Sequence, residues 1–309
     1  MKYLEKIKNF DENNLLSLDE IVLGALELFE NTDIKLLDIT EFKKPLIAGS
    51  GNAIVTAKII FSKIDAIFCD ETNFDECIKK DIDGLVILSA SGEKHATVFA
   101  KKAKELGIKT KLLTCNSNST AGTILGTENT IVTAKNREPY TYNTSTYMGW
   151  IFAYTGENPS EIKNFIQEKI DPILKNIDFS KYDSYIIVTP DNFSGVNQLF
   201  NVKFIELFAR KIARDVFSYE QMKHATTVVP HETELCITFG DEKDFRFNGS
   251  KINFPLPENA DLGAIMAIGY YVIGYIQNSY PHFFKVNIGK YISDINKTEF
   301  GKGLKVIVE

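Results

Sequence analysis

Residues 83–107 read DGLVILSASGEKHATVFAKKAKELG, and this stretch decides the fold. The apolar run Leu85–Leu88 stops at Ser89-Ala-Ser-Gly-Glu93, and apolar positions then recur at helical spacing from Ala96 to Leu106, closed by Gly107. A short all-apolar strand that passes at once into a helix is the repeating unit of a parallel sheet buried on both faces. The pattern recurs on either side. Upstream, Lys44–Ala48 reads as a strand ending in Gly49-Ser-Gly-Asn52, with a helix over Ala53–Ser62, then a strand over Asp65–Cys69 and a short helix over Phe74–Lys80. Downstream, Lys111–Thr114 and Thr130–Thr133 are further strands. Strand–helix alternation of this kind predicts an open α/β sheet with helices on both faces.

The alternation restarts later in the chain. Helices are predicted over Asn13–Leu28, where Ser17-Leu-Asp-Glu20 forms a capping-box pattern, and over Thr144–Tyr154 and Ser160–Ile177. A polar bridge, Asp178–Asp183, places a lobe boundary between residues 178 and 179, giving lobes of 1–178 and 179–309. Beyond it come a strand over Tyr185–Val188, a helix over Val196–Arg214, strands over Glu234–Phe239 and Lys251–Phe254, and a strongly apolar helix over Leu262–Ile276. Phe239 and Ile252 are joined only by the short charged loop GDEKDFRFNGS, so the second lobe lacks one strand–helix unit of the first. Two such lobes form a coarse internal repeat.

Bulk composition narrows the function. The chain has 309 residues, 44% hydrophobic and 25% charged, with a net charge of −6. These values are ordinary for a globular protein and argue against general electrostatic binding of nucleic acid. No apolar run approaches a membrane span, and the N-terminus carries no apolar signal core. Cys69, Cys77, Cys115 and Cys236 form no CxxC pair, and the four histidines show neither HxH nor HExxH spacing. No metal site is expected, nor any cofactor, and free thiols suit a reducing, cytoplasmic setting.

The chemistry of the opening stretch follows from its place. In an open parallel sheet, ligands bind beyond the carboxyl ends of the strands. Ser89–Glu93 lies at such an end and at a helix N-terminus, where unsatisfied N–H groups favour an anion. Serine hydroxyls donate to phosphate oxygens, and Gly92 admits a close backbone approach. The loop lacks the GK[ST] of a nucleotide P-loop, and GSGNA does not complete GxGxxG, so the phosphate is read as that of a small molecule. Ordinary helix capping by serine is the alternative.

These residues resemble a known family. LVILSASGEKHATVFAKKAKELGIKTKLLTCNSNSTAG (residues 85–122) resembles the sugar isomerase (SIS) domain, whose phosphate loop usually reads Ser-x-Ser-Gly-Glu-Thr, and LIAGSGNA (46–53) is similar to that family's first glycine turn. VKFIELFARKIARDVFSYEQMKHAT (202–226) and the closing GLKVIVE resemble the isomerase domain of glucosamine-6-phosphate synthases. The resemblance runs from about residue 40 to 309. It implies two flavodoxin-like three-layer lobes with parallel sheets, the second reduced, and a homodimer that binds a phosphosugar.

The resemblance also implies a site. The substrate side comprises Ser50, Gly51, Asn52, Ser89, Ala90, Ser91, Lys94 and Ser145, the last within a Thr144-Ser-Thr146 loop similar to one lining the family's sugar site. Lys94 stands where the family commonly has threonine, and is either a phosphate ligand or a solvated side chain. Gly51 or Asn52 falls where relatives often carry a serine donor. Glu206 matches the family's proton-transfer glutamate, His224 its ring-opening histidine and Lys305 its tail lysine. The spacing from Glu206 to His224 exceeds the family pattern, His224 is followed by Ala-Thr rather than Gly-Pro, and Lys305 is off register by one. The residues alone leave Glu206 open to an i,i+4 pair with Arg210 and His224 to a structural role; His95, His231 and His282 are read as structural. Three functions compete. One is a phosphosugar isomerase or isomerising aminotransferase or deaminase, without a glutaminase domain. The others are a non-catalytic phosphosugar-binding protein and a phosphoglucose/phosphomannose isomerase.

Overall fold

A computed structural model describes residues 2–225, 228–241, 245–299 and 301–309. By contact the chain divides into two compact units, neither continuous in sequence. One gathers Met1–Asn31, Asn136–Thr144 and Glu157–Glu309; the other gathers Thr32–Lys135 and Ser145–Gly156.

The second of these units holds a five-stranded sheet: β1 Pro45–Gly49, β2 Ile67–Cys69, β3 Gly84–Leu88, β4 Thr110–Thr114 and β5 Thr130–Val132. All neighbours pair in parallel, in the order β2-β1-β3-β4-β5. That order is the flavodoxin-like one. β1 and β3 are buried at every position, which is why they read as unbroken apolar runs rather than alternating ones. The helix His95–Glu105 turns Ala96, Phe99, Ala100 and Ala103 inward, against Leu85 and Ile87 of β3. Their i, i+3, i+4, i+7 spacing makes a single stripe, and burying the Phe99 ring contributes about 1.5–3 kcal/mol.

The other unit carries a short antiparallel pair, β6 Glu138–Pro139 with β11 Ile307–Val308. Its main sheet is four-stranded: β7 Ser184–Thr189, β8 Ala213–Ser218, β9 Glu234–Phe239 and β10 Ser250–Phe254. These strands are parallel in the order β10-β9-β7-β8. Read by position along the chain, this is the first sheet's order without its fifth strand, so the second sheet is reduced as expected. The five-stranded sheet lies wholly before residue 178 and the four-stranded sheet wholly after it. Helix Leu18–Phe29 begins at the capping box read in the sequence, with the Ser17 N–H donating to the Glu20 carboxylate at 3.3 Å. Among the described residues no helix is long and apolar enough to cross a membrane.

Two elements differ from the sequence reading. The helix expected over Val196–Arg214 runs only over Asn197–Phe208, and its supposed last residues belong to β8. Ala209 adopts φ +50°, which ends the helix without a glycine or proline to announce it. Ala213–Ser218 then pairs residue for residue with Ser184–Thr189, a tertiary gain that overrides local helix propensity. The helix expected over Ser160–Ile177 is an α segment Pro159–Phe165, a π segment Ile166–Ile170 and an α segment Asp171–Leu174. Pro172 lacks the N–H that a continuous α-helix requires, and the ladder widens just before it.

Candidate functional site

In the five-stranded unit, the two glycine turns leave neighbouring strands. β1 and β3 are paired with Gly49 opposite Leu88, so Ser50-Gly51-Asn52 and Ser89–Lys94 emerge side by side at the carboxyl edge. Their backbones share one unusual conformation: Gly51 has φ +54°, ψ −128°, and Lys94 has φ +48°, ψ −115°, each as the N-cap of the following helix. Glycine adopts this region freely; lysine does so at a cost of order 1–3 kcal/mol. We expect Lys94→Gly to raise stability by about 0.5–1 kcal/mol in urea unfolding, while weakening any phosphate binding to which the ammonium contributes.

The loop is held by its own serines. Ser89 Oγ accepts from the Gly92 N–H at 3.1 Å, and Ser91 Oγ from the Glu93 N–H at 3.3 Å. Each hydroxyl therefore retains its proton for donation. The neighbouring segment ties the loop down. Cys115 N–H and Thr114 Oγ1 donate to Ala90 O at 3.0 and 3.2 Å, Asn116 Nδ2 to Ser91 O at 3.0 Å, and Thr120 N–H to the Glu93 carboxylate at 2.9 Å. Gly92 has φ +64°, and a Cβ there would sit 2.4 Å from the Ser119 Cβ, so no other residue fits. In the adjacent turn, Ser50 Oγ is buried with no hydrogen-bond partner among the described residues. Ser145, in the first turn of the helix Thr144–Thr155, is buried. The next residue accepts a hydrogen bond at its Oγ1 from the Cys115 thiol, at 3.4 Å, and so lies against the end of β4. The loop and turn residues expected from the sequence, Ser50 through Lys94, thus share one edge of one sheet.

The remaining expected residues lie in the four-stranded unit. Lys203 and Glu206 are one turn apart on the helix Asn197–Phe208. The Lys203 side chain is 0% exposed, and its Nζ donates to Glu206 Oε2 at 2.7 Å. It also donates to the carbonyls of Thr141 and Tyr142 at 3.0 and 2.8 Å, and it lies 5.5 and 5.4 Å from the Tyr142 and Tyr270 ring centres. Glu206 therefore pairs at i−3 with a buried lysine, not at i+4 with Arg210. Its side chain is 20% exposed, and burial raises its pKa above the ordinary carboxylate value, against the lowering pull of Lys203. Glu206 lines a cavity of about 500 Å³ together with Thr141, Phe208, Phe283, Asn287 and Tyr291.

His224 and Lys305 are placed elsewhere. His224 ends the short helix Tyr219–His224 and is exposed. Lys305 is exposed in a second depression, beside Arg137 and Glu309. Neither lines the Glu206 cavity. Sequence reasoning missed Thr141, whose φ of +76° and unpartnered buried hydroxyl carry no local sequence signal. It also missed the function of Lys203 as an anchor, although the i,i+3 spacing to Glu206 was legible. Among the described residues no three His, Cys, Asp or Glu side chains gather in a way that could hold a metal ion.

No protein-family model matches the chain, and no curated protein matches it in sequence. Solved structures do. The C-terminal domain of glucosamine-fructose-6-phosphate aminotransferase from Francisella tularensis superposes with a TM-score of 0.58 at 13% identity, over 92% of this chain and 96% of that one. Glucosamine-6-phosphate deaminase from Thermotoga maritima gives 0.57 at 14% identity, over 89% and 93%. Tagatose-6-phosphate ketose/aldose isomerase from Escherichia coli gives 0.56 at 13%, over 90% and 89%. At these identities the likeness is one of fold, and the two-sheet sugar isomerase fold read from the serine loop is borne out.

Proposed function

We propose that the chain binds a phosphosugar, taking its phosphate at the Ser89–Lys94 loop, and that Glu206 moves a proton between adjacent sugar carbons. The reaction is an aldose–ketose isomerisation, or an isomerising amination or deamination, of a hexose 6-phosphate. The observation that carries this reading is the loop: two serine hydroxyls with protons to donate, at the N-terminus of an 11-residue helix, beside a buried Ser50 hydroxyl that has no partner among the described residues. An unpartnered buried hydroxyl costs about 1–3 kcal/mol, and a ligand oxygen would offset it. Three proteins of this fold, an aminotransferase, a deaminase and a ketose/aldose isomerase, are named for acting on sugar 6-phosphates.

Glu206 suits the proton step. Moving hydrogen between C1 and C2 needs a base that is ionised yet has appreciable proton affinity. Burial supplies the affinity and Lys203 keeps the charge in place. We take the two sheets as the lobes of one enzyme, divided in chain order at 178/179, acting as a cytoplasmic homodimer. An exposed His224 is what a histidine serving a partner's site would present, and the free buried Cys69, Cys77 and Cys236 suit a reducing compartment.

Calorimetric titration with fructose 6-phosphate and glucosamine 6-phosphate tests the phosphate loop. Ser89→Ala and Ser91→Ala are each expected to weaken binding by about tenfold or more, the loss of a hydrogen bond to a charged group. Unchanged affinity in both variants contradicts the assignment. A second reading, phosphosugar binding without catalysis, is favoured by one observation: His224 lies outside the lining of the Glu206 cavity.

A further inference from the structure

The cavity beside Glu206 has a character of its own. Its walls are largely apolar: Ile205, Leu207, Phe208, Phe283, Phe284 and Ile288 contribute, and the exposed Tyr291 ring, stacked on Tyr140 at 6.4 Å, closes one side. Set into these walls are two oxygen acceptors. Glu206 binds Lys203 through Oε2, and among the described residues its Oε1 has no hydrogen-bond partner. Asn287 donates its amide to Phe283 O at 2.8 Å, which leaves its Oδ1 as an acceptor.

The backbone at the wall is strained in two places. Thr141 has φ +76° and Ala209 φ +50°, a region that side-chain-bearing residues rarely adopt and that is held only where the surroundings enforce it. Lys203 holds the Thr141 and Tyr142 carbonyls beside the first, at 3.0 and 2.8 Å. Lysines do not undo the acceptor character of the cavity. Lys203 spends its donors on those carbonyls and Glu206, and Lys211, which also lines the cavity, is exposed and keeps its ammonium solvated.

A volume of about 500 Å³, apolar walls and a few convergent polar groups describe a small-molecule site. A carboxylate accepts only, so the ligand's head must donate. A second anion beside a carboxylate already short of solvation is disfavoured. We propose that this cavity binds a small molecule with an apolar, ring-sized body and a hydrogen-bond-donating head, an amine or a hydroxyl, directed at Glu206 and Asn287. This site stands on the cavity alone and does not depend on Glu206 acting in a sugar reaction. An occupant would engage the free carboxylate oxygen and so control its availability.

Fluorine NMR titration of the full chain tests it, with para-fluorobenzylamine and para-fluorobenzyl alcohol as donor probes and para-fluorobenzoate as the acceptor-only control. Saturable binding of at least one donor probe, with none by the benzoate, is expected; a preference for amine over alcohol identifies a cationic head. Glu206→Gln should weaken donor binding by about tenfold. Because that change also disturbs Lys203, Asn287→Leu on the exposed face of its helix is the second variant, expected to weaken binding about fivefold. Binding of benzoate as tight as that of the donors, no binding of any probe, or unchanged affinity in Asn287→Leu would each overturn the proposal. The phosphosugar titration above is read separately, so either assignment can fail alone.

Discussion

Lys203→Met is expected to lower stability by about 3–5 kcal/mol in urea unfolding at neutral pH, the cost of stranding a buried charge. The wild-type ammonium is fully buried and satisfies a carboxylate and two backbone carbonyls at once. Methionine matches its length but donates nothing, so all three acceptors lose their partner. The double variant Lys203→Met/Glu206→Gln should recover part of the loss, because a neutral amide is cheaper to bury than an unpaired carboxylate. The pH dependence has a definite sign. Burial raises the folded-state pKa of Glu206 while Lys203 lowers it; without Lys203 the pKa rises further. A carboxylate whose folded pKa lies above its unfolded one destabilises the fold while ionised, and that cost fades as pH falls through the folded value. The deficit of Lys203→Met should therefore be largest at neutral pH and shrink in acid. A deficit independent of pH would mean that the ion pair contributes nothing and that only packing was lost.

Glu206→Gln is expected to reduce proton transfer at C2 of the sugar phosphate by about 10²–10⁴-fold, the usual contribution of a positioned general base. The phosphate is assigned to a different set of residues, so affinity for the phosphosugar should change little. Loss of both together would point to unfolding rather than lost chemistry. Circular dichroism distinguishes the two, because Lys203 still donates to the Thr141 and Tyr142 carbonyls in Glu206→Gln and the fold is expected to persist.

How much of this was legible depended on burial. The strands of the five-stranded sheet announced themselves because both faces are covered, so Leu85–Leu88 reads as an unbroken apolar run. The serine loop was legible because its residue types are tied to its place between strand and helix. β8 was not. Its burial is partial along most of its length, its residues suit a helix, and the turn that separates it from the preceding helix rests on the positive φ of Ala209. Nothing in Phe208-Ala-Arg-Lys announces that turn. The helix Phe283–Ile295, which supplies Phe283, Asn287 and Tyr291 to the cavity, also escaped the sequence reading. Thr141 is invisible for a related reason: its carbonyl is bound by Lys203, some sixty residues away along the chain. Glu206 was singled out by resemblance, and the residues alone left open an i+4 pair with Arg210; its partner is Lys203 at i−3, a spacing that shares the same helix face. His224 and Lys305 match the family by order in the chain, and order alone does not bring either to the Glu206 cavity.

The most direct test of the central claim is hydrogen exchange at C1 of a ketose phosphate or C2 of an aldose phosphate. Wild-type chain is incubated in heavy water with fructose 6-phosphate, glucosamine 6-phosphate and tagatose 6-phosphate, and the sugar is followed by proton NMR. The account predicts loss of the C2 or C1 proton signal of at least one of these, at a rate reduced about 10²–10⁴-fold in Glu206→Gln. Tight binding of the sugar phosphates with no exchange in the wild-type chain would contradict it and leave a binding protein in place of an enzyme.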